Sequence, residues 1–181
     1  IQLEDQTFPK RCGHMAEKDV IDRTEAAAKI RAARDAAREI QIIARTDALR
    51  VHGMEEALER ARAYRAAGAD VLFVESPESE EELRHIRRNL DGPLMANMVE
   101  GGLTPLLSAD ELSEMGYDLV IFPNTVTRTV ARAALQTYEQ LREQGSSRAL
   151  LERMLMFDDL NELLGLERFE ELEQQYRRDG G

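Results

Sequence analysis

The chain has 181 residues, of which 43% are apolar and 33% are charged, and its formal net charge is −11. This length and apolar content suffice for a domain with a hydrophobic core. The acidic balance excludes a nucleic-acid-binding surface, because neutralising phosphates takes an excess of lysine and arginine, and it disfavours an anionic membrane surface. We expect no membrane span and no signal peptide. The single cysteine, Cys12, allows no disulfide within the chain and predicts a cytoplasmic location.

Five apolar runs, each closed by polar residues and followed by a helical pattern, organise the sequence. The runs are residues 1–4, 40–44, 70–74, 93–96 and 119–122. Helices are predicted over 22–38, 54–67, 78–90, 108–115 and 125–143, and two more, over 148–163 and 167–178, follow without another strand. Strands that alternate with helices predict βαβ units and a parallel sheet. The continuous apolar character of the runs indicates strands that are buried on both faces.

Polar residues follow all five strands, which favours an α/β fold of the (β/α)₈ barrel type over an open, doubly wound sheet. A barrel carries functional groups at the carboxyl ends of many strands, whereas an open sheet collects them at one crevice. A complete barrel has eight units and about 250 residues, so either three further units belong before residue 1 or the chain forms an unusual half-barrel. Residues 1–145 are predicted to form the C-terminal part of the barrel, and residues 146–181 a separate helical segment.

The densest cluster of reactive side chains is E-D-Q-T-F-P-K-R-C-G-H, residues 4–14, directly after the first strand. Cys12 has Lys10, Arg11 and His14 within two positions, and positive neighbours favour the thiolate form of a cysteine. A thiol in such surroundings can transfer a proton near neutral pH. The alternative is a buried cysteine without a catalytic role.

Charged residues close the first three strands. Glu4 and Asp5 either hold a divalent cation, which takes carboxylate oxygens, or form a salt bridge with Arg45. Arg45 at the mouth of a barrel suits bidentate binding of a substrate carboxylate, unless it pairs structurally with Glu4 or Glu75. Glu75 can act as a base, lie beside a metal, or be the partner of Arg45, and the sequence leaves these roles open.

Asn97 begins the segment N-M-V-E-G-G-L-T-P, residues 97–105, after the fourth strand. Paired glycines let backbone amides approach an anion, although such loops are common. His52 is expected in the loop after the second strand, where it is exposed. The stretch 154–156 is predicted to be helical and to pack in a core against a neighbouring element.

These segments resemble the isocitrate lyase/phosphoenolpyruvate mutase superfamily. The resemblance rests on E-D-Q-x-F-P-K-R-C-G-H, A-R-T-D-A, G-A-D-x-x-F-V-E-S and N-M-V-E-G-G-x-T-P, which occur in the family order. The K-R-C-G-H string is typical of the lyase branch, which includes isocitrate lyase, 2-methylisocitrate lyase and 2,3-dimethylmalate lyase. The resemblance implies a (β/α)₈ barrel, a homotetramer with a C-terminal helix exchanged between subunits, Mg²⁺ or Mn²⁺ as cofactor, and cleavage of a carbon–carbon bond in a small 2-hydroxy polycarboxylate.

By the same resemblance, the polar residues at the strand ends take roles in catalysis, substrate binding and metal binding. The implied catalytic residues are Cys12 as acid/base, with Lys10, His14, Arg45 and Glu75. The implied substrate-binding residues are Gly13, Arg45, Glu75, Asn97, Thr104 and Arg128. The implied metal ligand is Glu4.

Three features qualify the lyase interpretation. The strands expected before residue 1 would carry further metal-binding aspartates, so the 181-residue chain alone is expected to be inactive or weak. Phe157 stands where 2-methylisocitrate lyases have an arginine, which favours a smaller or less charged substrate. Residues 156–165, M-F-D-D-L-N-E-L-L-G, resemble members named carboxyvinyl-carboxyphosphonate phosphorylmutase. Phosphorylmutase activity, oxaloacetate decarboxylation and a non-catalytic remnant are therefore the alternatives.

Overall fold

Five short parallel strands form the centre of the fold in the computed structural model, which describes residues 1–10, 19–37 and 39–178. The strands are β1 (Gln2–Glu4), β2 (Ile43–Thr46), β3 (Val71–Val74), β4 (Met95–Asn97) and β5 (Leu119–Ile121). They pair in chain order within two groups, β1–β2–β3 and β4–β5, and a parallel bridge between Leu72 and Leu94 joins the groups. This order confirms the predicted barrel class, with five βα units present.

Eight α-helices and one 3₁₀ helix are found in the described residues. The α-helices are α1 (Arg23–Ala36), α2 (Leu49–His52), α3 (Met54–Ala66), α4 (Glu80–Asn89), α5 (Ala109–Glu114), α6 (Thr125–Gln144), α7 (Phe157–Leu164) and α8 (Leu166–Arg178), and the 3₁₀ helix is Arg148–Arg153. Side-chain caps explain several of the starts. Asp22 accepts from the backbone N–H of Thr24 and Glu25 before α1, and Ser108 forms a reciprocal capping box with Glu111 at α5.

The core lies between the strands and the helices that follow them. Its largest fully buried apolar side chains come from both layers and are Tyr64, Phe73, Ile42, Leu58, Leu72, Leu83, Ile86, Leu94, Met98 and Leu112. In the register of the sheet, Glu4 faces Arg45 across β1 and β2, and Arg45 faces Phe73 across β2 and β3. This register places the carboxyl ends of the first three strands side by side.

Some local predictions were wrong. The second strand begins at Ile43 rather than at residue 40, and Arg45 and Thr46 lie inside it, because they pair with Phe73 and Val74 of β3. The predicted helix 148–163 is a 3₁₀ helix followed by α7, because Met154 adopts extended backbone angles between them. Met154 and Met156 are exposed rather than packed in a core. His52 ends α2 instead of lying in a loop.

The chain divides into two compact units, residues 1–126 and residues 127–181. The first unit contains all five strands and helices α1–α5. The second contains most of α6, the 3₁₀ helix, α7 and α8, and many of its large apolar side chains are exposed. The exchange of residues 146–181 between subunits stays a prediction. Across the described residues, no helix is long and apolar enough to cross a membrane.

Candidate active site

Arg45, on β2, is the centre of a charged cluster at the carboxyl ends of β1, β2 and β3. Its Nε and Nη2 donate to the two carboxylate oxygens of Asp47, at 2.7 and 2.9 Å. Its Nη1 lies 3.0 Å from Oε2 of Glu75, and its Nε lies 3.6 Å from Oε2 of Glu4. The guanidinium carbon is 5.2 Å from the centre of the Phe73 ring. These contacts hold a nearly buried guanidinium in one orientation.

The charge balance of this cluster is negative, since three carboxylates surround one guanidinium. Burial by itself would lower the pKa of Arg45, but its bond to Asp47 and the charges of Glu75, Asp47 and Glu4 raise that pKa above its ordinary value. Arg45 is therefore positively charged at any pH at which the protein is folded. Lys10, which is paired with Glu4, offsets part of this negative charge, and the excess that remains favours a further cation.

Glu75, directly after β3, is 1% exposed, and both of its carboxylate oxygens are engaged. Oε2 accepts from Nδ2 of Asn97 at 3.4 Å in addition to its ion pair with Arg45, and Oε1 accepts from the Ser76 hydroxyl at 3.0 Å. Ser76 has a φ of 60°, in the left-handed region, which costs a non-glycine residue about 1–2 kcal/mol. Backbone strain of this kind is concentrated at functional sites. Of the roles left open for Glu75, the ion pair with Arg45 is the one observed.

Buried polar atoms near the strand ends lack a hydrogen-bond partner within the described residues. They include Oε2 of Glu4, Oδ1 of Asn97 and Oγ1 of Thr104. The ammonium of Lys10 lies 2.8 Å from Oε2 of Glu4, so the two groups form an ion pair without the geometry of a hydrogen bond. Unsatisfied buried polar atoms are rare in proteins and mark places where a ligand, ion or water can bind.

Asp5 does not share a cation site with Glu4. It is 1% exposed, and its Oδ2 accepts from the hydroxyls of Thr46 and Tyr64, each at 2.7 Å, and from Nη1 of Arg60 at 3.2 Å. Its Oδ1 accepts from the backbone N–H of Asp47 at 2.9 Å. With four donors on its two oxygens, Asp5 has a structural role.

Arg60 and Tyr64, both on α3, were missed as site-associated residues. The signal was present in the sequence, since Arg60 lies within the buried stripe of α3 that also contains Ala57, Leu58 and Ala61. An arginine in such a stripe requires a buried acidic partner, because an unpaired buried charge is very costly. Which acidic residue Arg60 contacts depends on the packing of α3 beside the end of β1, and the amino-acid sequence does not specify that contact.

The two ends of the segment that carries Cys12 are joined beside Asp5. The backbone N–H of Thr7 donates to the carbonyl of Asp19 at 2.9 Å, and the N–H of Ile21 donates to the carbonyl of Asp5 at 2.8 Å. An antiparallel bridge between Gln6 and Val20 completes this junction.

The structure thus brings some of the predicted site residues together and leaves others undecided. Glu4, Lys10, Arg45, Glu75 and Asn97 are linked by direct contacts. Cys12, Gly13 and His14 lie outside the described residues. Thr104 is buried and belongs to the segment that connects β4 to α5. Arg128 lies on α6 in the second compact unit.

The matching protein-family model, phosphoenolpyruvate phosphomutase, covers residues 1–142 of this chain. The chain belongs to the phosphoenolpyruvate mutase/isocitrate lyase superfamily. Among curated members, the 2,3-dimethylmalate lyase of Eubacterium barkeri is 42% identical over 97% of this chain and 62% of its own length. The 2-methylisocitrate lyase of Aeropyrum pernix is 39% identical over 98% of this chain and 58% of its own length. The chain therefore spans about 60% of the length of these relatives.

Solved structures of the superfamily have the same fold. Oxaloacetate acetylhydrolase in complex with 3,3-difluorooxalacetate matches with a TM-score of 0.89 at 36% identity, over 97% of this chain and 60% of that chain. Phosphonopyruvate hydrolase in complex with oxalate and Mg²⁺ matches with a TM-score of 0.80 at 26% identity, over 97% of this chain and 62% of that chain.

A divalent cation is the cofactor that superfamily membership implies, and Glu4 is the residue that fits it. No group of three or more His, Cys, Asp or Glu side chains able to hold a metal occurs within residues 1–10, 19–37 and 39–178. However, Mg²⁺ is commonly held by one or two carboxylates, with water and substrate as its other ligands. Glu4 offers a carboxylate oxygen that has ion pairs with Lys10 and Arg45 but no hydrogen-bond donor among the described residues, in a cluster with excess negative charge.

Proposed function

We propose that the protein is a metal-dependent carbon–carbon lyase that cleaves a 2-hydroxy polycarboxylate to a 2-oxo acid and a saturated acid. The observation that supports this function is the immobilised Arg45 guanidinium, with Glu4 and Asn97 beside it, at the carboxyl ends of the strands. Relatives named 2,3-dimethylmalate lyase and 2-methylisocitrate lyase cover nearly the whole chain. We infer a substrate of the dimethylmalate or methylisocitrate type, and Phe157 favours dimethylmalate.

In this proposal, Arg45 binds a carboxylate of the substrate. A guanidinium has five N–H groups, and the observed contacts engage one on each of its three nitrogens, with Asp47 and Glu75. The two that remain suit a planar carboxylate. Glu75 keeps the guanidinium in place and orients Asn97 through its Nδ2. Thr104 and Arg128 extend the substrate-binding set, and Lys10, Gly13 and His14 belong to the loop of the catalytic cysteine.

The bond that breaks joins the hydroxyl-bearing carbon to the carbon beside a carboxylate. The hydroxyl releases its proton to the solvent and becomes the carbonyl of the 2-oxo acid, while the electron pair stays on the other carbon and spreads into its carboxylate. Arg45 stabilises this developing charge. Cys12 donates the proton that converts the carbanion to the saturated acid. Glu4 would hold a Mg²⁺ or Mn²⁺ ion, and such an ion would supply Lewis-acid polarisation of the substrate oxygens.

The assay for this function compares 2,3-dimethylmalate, 2-methylisocitrate and oxaloacetate as substrates of the whole protein, with Mg²⁺ and after chelation. Proton NMR of the products is required, because pyruvate arises from all three acids. The second product decides: propionate from dimethylmalate, succinate from methylisocitrate, and neither of these from oxaloacetate, whose decarboxylation adds only pyruvate to the proton spectrum. We expect propionate, and its loss on chelation. Failure to cleave either 2-hydroxy acid would refute the lyase proposal.

Replacement of the proposed proton donor gives a second test. Cys12→Ser is expected to lower kcat on the cleaved acid by at least about 100-fold, since general acid–base groups contribute about 10²–10⁴-fold. Binding of oxalate with Mg²⁺ should be unchanged, and this measurement serves as the control for folding. Undiminished cleavage by Cys12→Ser would show that another group donates the proton.

A second candidate is action on oxaloacetate, which the likeness to oxaloacetate acetylhydrolase favours. In that case the proton NMR assay shows acetate, released together with oxalate, or pyruvate from decarboxylation, without propionate or succinate. A homo-oligomer, a tetramer by family resemblance, is the assembly that we propose. The remaining alternative, a non-catalytic remnant, predicts no Mg²⁺ binding, whereas micromolar affinity of the chain for Mg²⁺ would contradict it.

A further inference from the structure

We infer that Arg60 and Tyr64, on α3, are positioning residues that act through Asp5 on two parts of the active site at once. One part is the Arg45 guanidinium, and the other is the junction that joins the ends of the Cys12 segment. The effect on catalysis rests on the proposed function, whereas the effect on local order rests only on the contacts described above.

Tyr64 and Arg60 fix the carboxylate of Asp5 from the helix side. The Tyr64 hydroxyl donates to Oδ2 of Asp5 at 2.7 Å, and Nη1 of Arg60 donates to the same oxygen at 3.2 Å. Burial and the charge of Asp5 both raise the pKa of Tyr64 above its ordinary value. The hydroxyl therefore keeps its proton and remains a donor. Nε of Arg60 is anchored on Glu56, one helical turn earlier, at 2.8 Å.

The first branch runs from Asp5 to Arg45. Oδ1 of Asp5 accepts from the backbone N–H of Asp47 at 2.9 Å, and Oδ2 accepts from the Thr46 hydroxyl at 2.7 Å. These bonds fix the backbone at the end of β2, from which the Asp47 carboxylate holds Arg45 through two bonds. A shift of Asp5 would move Asp47, and the plane of the guanidinium would turn with it.

The second branch runs to the junction of the Cys12 segment. Nη1 of Arg60 also donates to the carbonyl of Ile21 at 2.7 Å, and the N–H of Ile21 donates to the carbonyl of Asp5 at 2.8 Å. Arg60 thus contacts both sides of the junction, Asp5 before the segment and Ile21 after it. The same side chain therefore supports the ends of the segment and the anchor of Arg45.

Tyr64→Phe tests the inference, with Tyr117→Phe as a matched control. Both tyrosines are buried, and the Tyr117 hydroxyl donates to the Leu83 carbonyl at 3.0 Å, so each variant loses the buried hydrogen bond that its hydroxyl donates. Tyr64→Phe also loses the longer bond that the Tyr64 hydroxyl accepts from Nη1 of Arg60, at 3.4 Å. Amide hydrogen exchange is measured on peptides that cover residues 19–22 and 46–48. We expect exchange there to become about tenfold faster in Tyr64→Phe, as the loss of a bond to a charged group implies, and to be unchanged in Tyr117→Phe.

Kinetics supply a readout that a purely structural role would not change. A variant that only loses stability has less folded enzyme, which lowers the apparent kcat and leaves KM unaltered. A displaced Arg45 weakens substrate binding, so KM for the cleaved acid is expected to rise about tenfold in Tyr64→Phe and to stay constant in Tyr117→Phe. Arg60→Lys keeps the charge but loses the planar fork, so it should change both readouts in the same direction.

Each result has one meaning. Equal exchange in the two tyrosine variants, or a lower kcat with unchanged KM in Tyr64→Phe, would overturn the positioning role. If the wild-type protein cleaves no candidate acid, the proposed function fails, yet the exchange experiment still decides whether Arg60 and Tyr64 order the two branches.

Discussion

Arg45 shows at the scale of one residue why lysine is no substitute for arginine. Its planar guanidinium donates two bonds to Asp47, from Nε and Nη2, and pairs with Glu75 through Nη1. A lysine ammonium is a point charge on a flexible stem and cannot hold this arrangement. The orientation of the group, rather than its charge alone, is what the surrounding carboxylates maintain.

We therefore predict that Arg45→Lys lowers kcat/KM for the cleaved acid by about 100-fold, the scale of removing one oriented group that stabilises charge in the transition state. Steady-state kinetics of the whole protein provide the measurement. Arg50→Lys is the control, because Arg50 is paired with Glu78 and Glu82 away from the cluster. A loss of less than about threefold in Arg45→Lys would contradict the role of the guanidinium.

Glu82, on α4, carries a pH-dependent part of the stability. Burial alone would raise its pKa, but the hydrogen bonds from Arg50 and from the Glu78 backbone lower that pKa below its ordinary value. A carboxylate with a lowered pKa in the folded state stabilises the protein above its unfolded-state pKa, near 4.3. This contribution is lost as the pH falls through the lower folded-state pKa.

Glu82→Gln should accordingly reduce the free energy of unfolding by about 1 kcal/mol at pH 7. The difference from wild type should shrink as the pH falls below about 4. Urea unfolding at several pH values gives these differences. Glu81→Gln, an exposed neighbour in the same turn of α4, is the control and should show little effect. A pH-independent difference for Glu82→Gln would exclude the electrostatic explanation.

At the scale of elements, one device recurs at the turns that lead from a helix into the next strand. Arginines on α1, α3 and α4 donate to backbone carbonyls in these turns. Arg34 donates to Gly68, Arg65 to Asp91 and Pro93, and Arg87 to Gly92 and Gly116. The glycines at 68, 92 and 116 have positive φ, and a Cβ there would contact one of these arginines. Each arginine thus adds side-chain hydrogen bonds to carbonyls in the turns before β3, β4 and β5.

Gly68→Ala tests this device. Gly68 has a φ of 105°, and an added Cβ would lie 2.7 Å from Cγ of Arg34, close to the stem of that side chain. We expect the free energy of unfolding to fall by about 2–3 kcal/mol, from backbone strain and the displacement of Arg34. Gly165→Ala, in the left-handed region at φ 71° with no atom within 4 Å of its Cβ, should lose only about 1–2 kcal/mol. Equal losses in urea unfolding would show that contact with Arg34 is unimportant.

At the scale of the whole molecule, the two compact units differ in how many of their large apolar side chains are buried. The first unit buries most of them, whereas the second exposes many, including Phe157, Leu163, Leu164 and Phe169. A dense set of exposed apolar residues is typical of a protein interface. This contrast supports the proposed homo-oligomer.

Leu163→Glu is predicted to weaken self-association of the protein, because Leu163 is 72% exposed on α7 and a charge there opposes burial. Sedimentation velocity over a range of concentrations should show a dissociation constant at least about tenfold higher than that of wild type. Leu106→Glu places the same charge at a 55% exposed leucine of the first unit and serves as the control. Unchanged association in Leu163→Glu would contradict an interface on this helix.

The amino-acid sequence by itself determined the class of the fold and the candidate residues at the strand ends. Apolar runs, helical periodicity and motifs such as A-R-T-D-A are local patterns, and backbone geometry translates them directly into strands, helices and the polar residues that end them. The same local rules could not detect the break at Met154, because the residues on both sides of it have helical patterns.

Only the tertiary structure decided which of these residues meet. Asp5 accepts hydrogen bonds from Thr46, Arg60 and Tyr64, which are 41, 55 and 59 positions away. Glu4 is therefore the carboxylate suited to a cation. Glu75 became the partner of Arg45 because β2 and β3 are adjacent in the sheet. Strand register and helix packing set these distances, and both arise from the burial of the core as a whole rather than from any short segment of the chain.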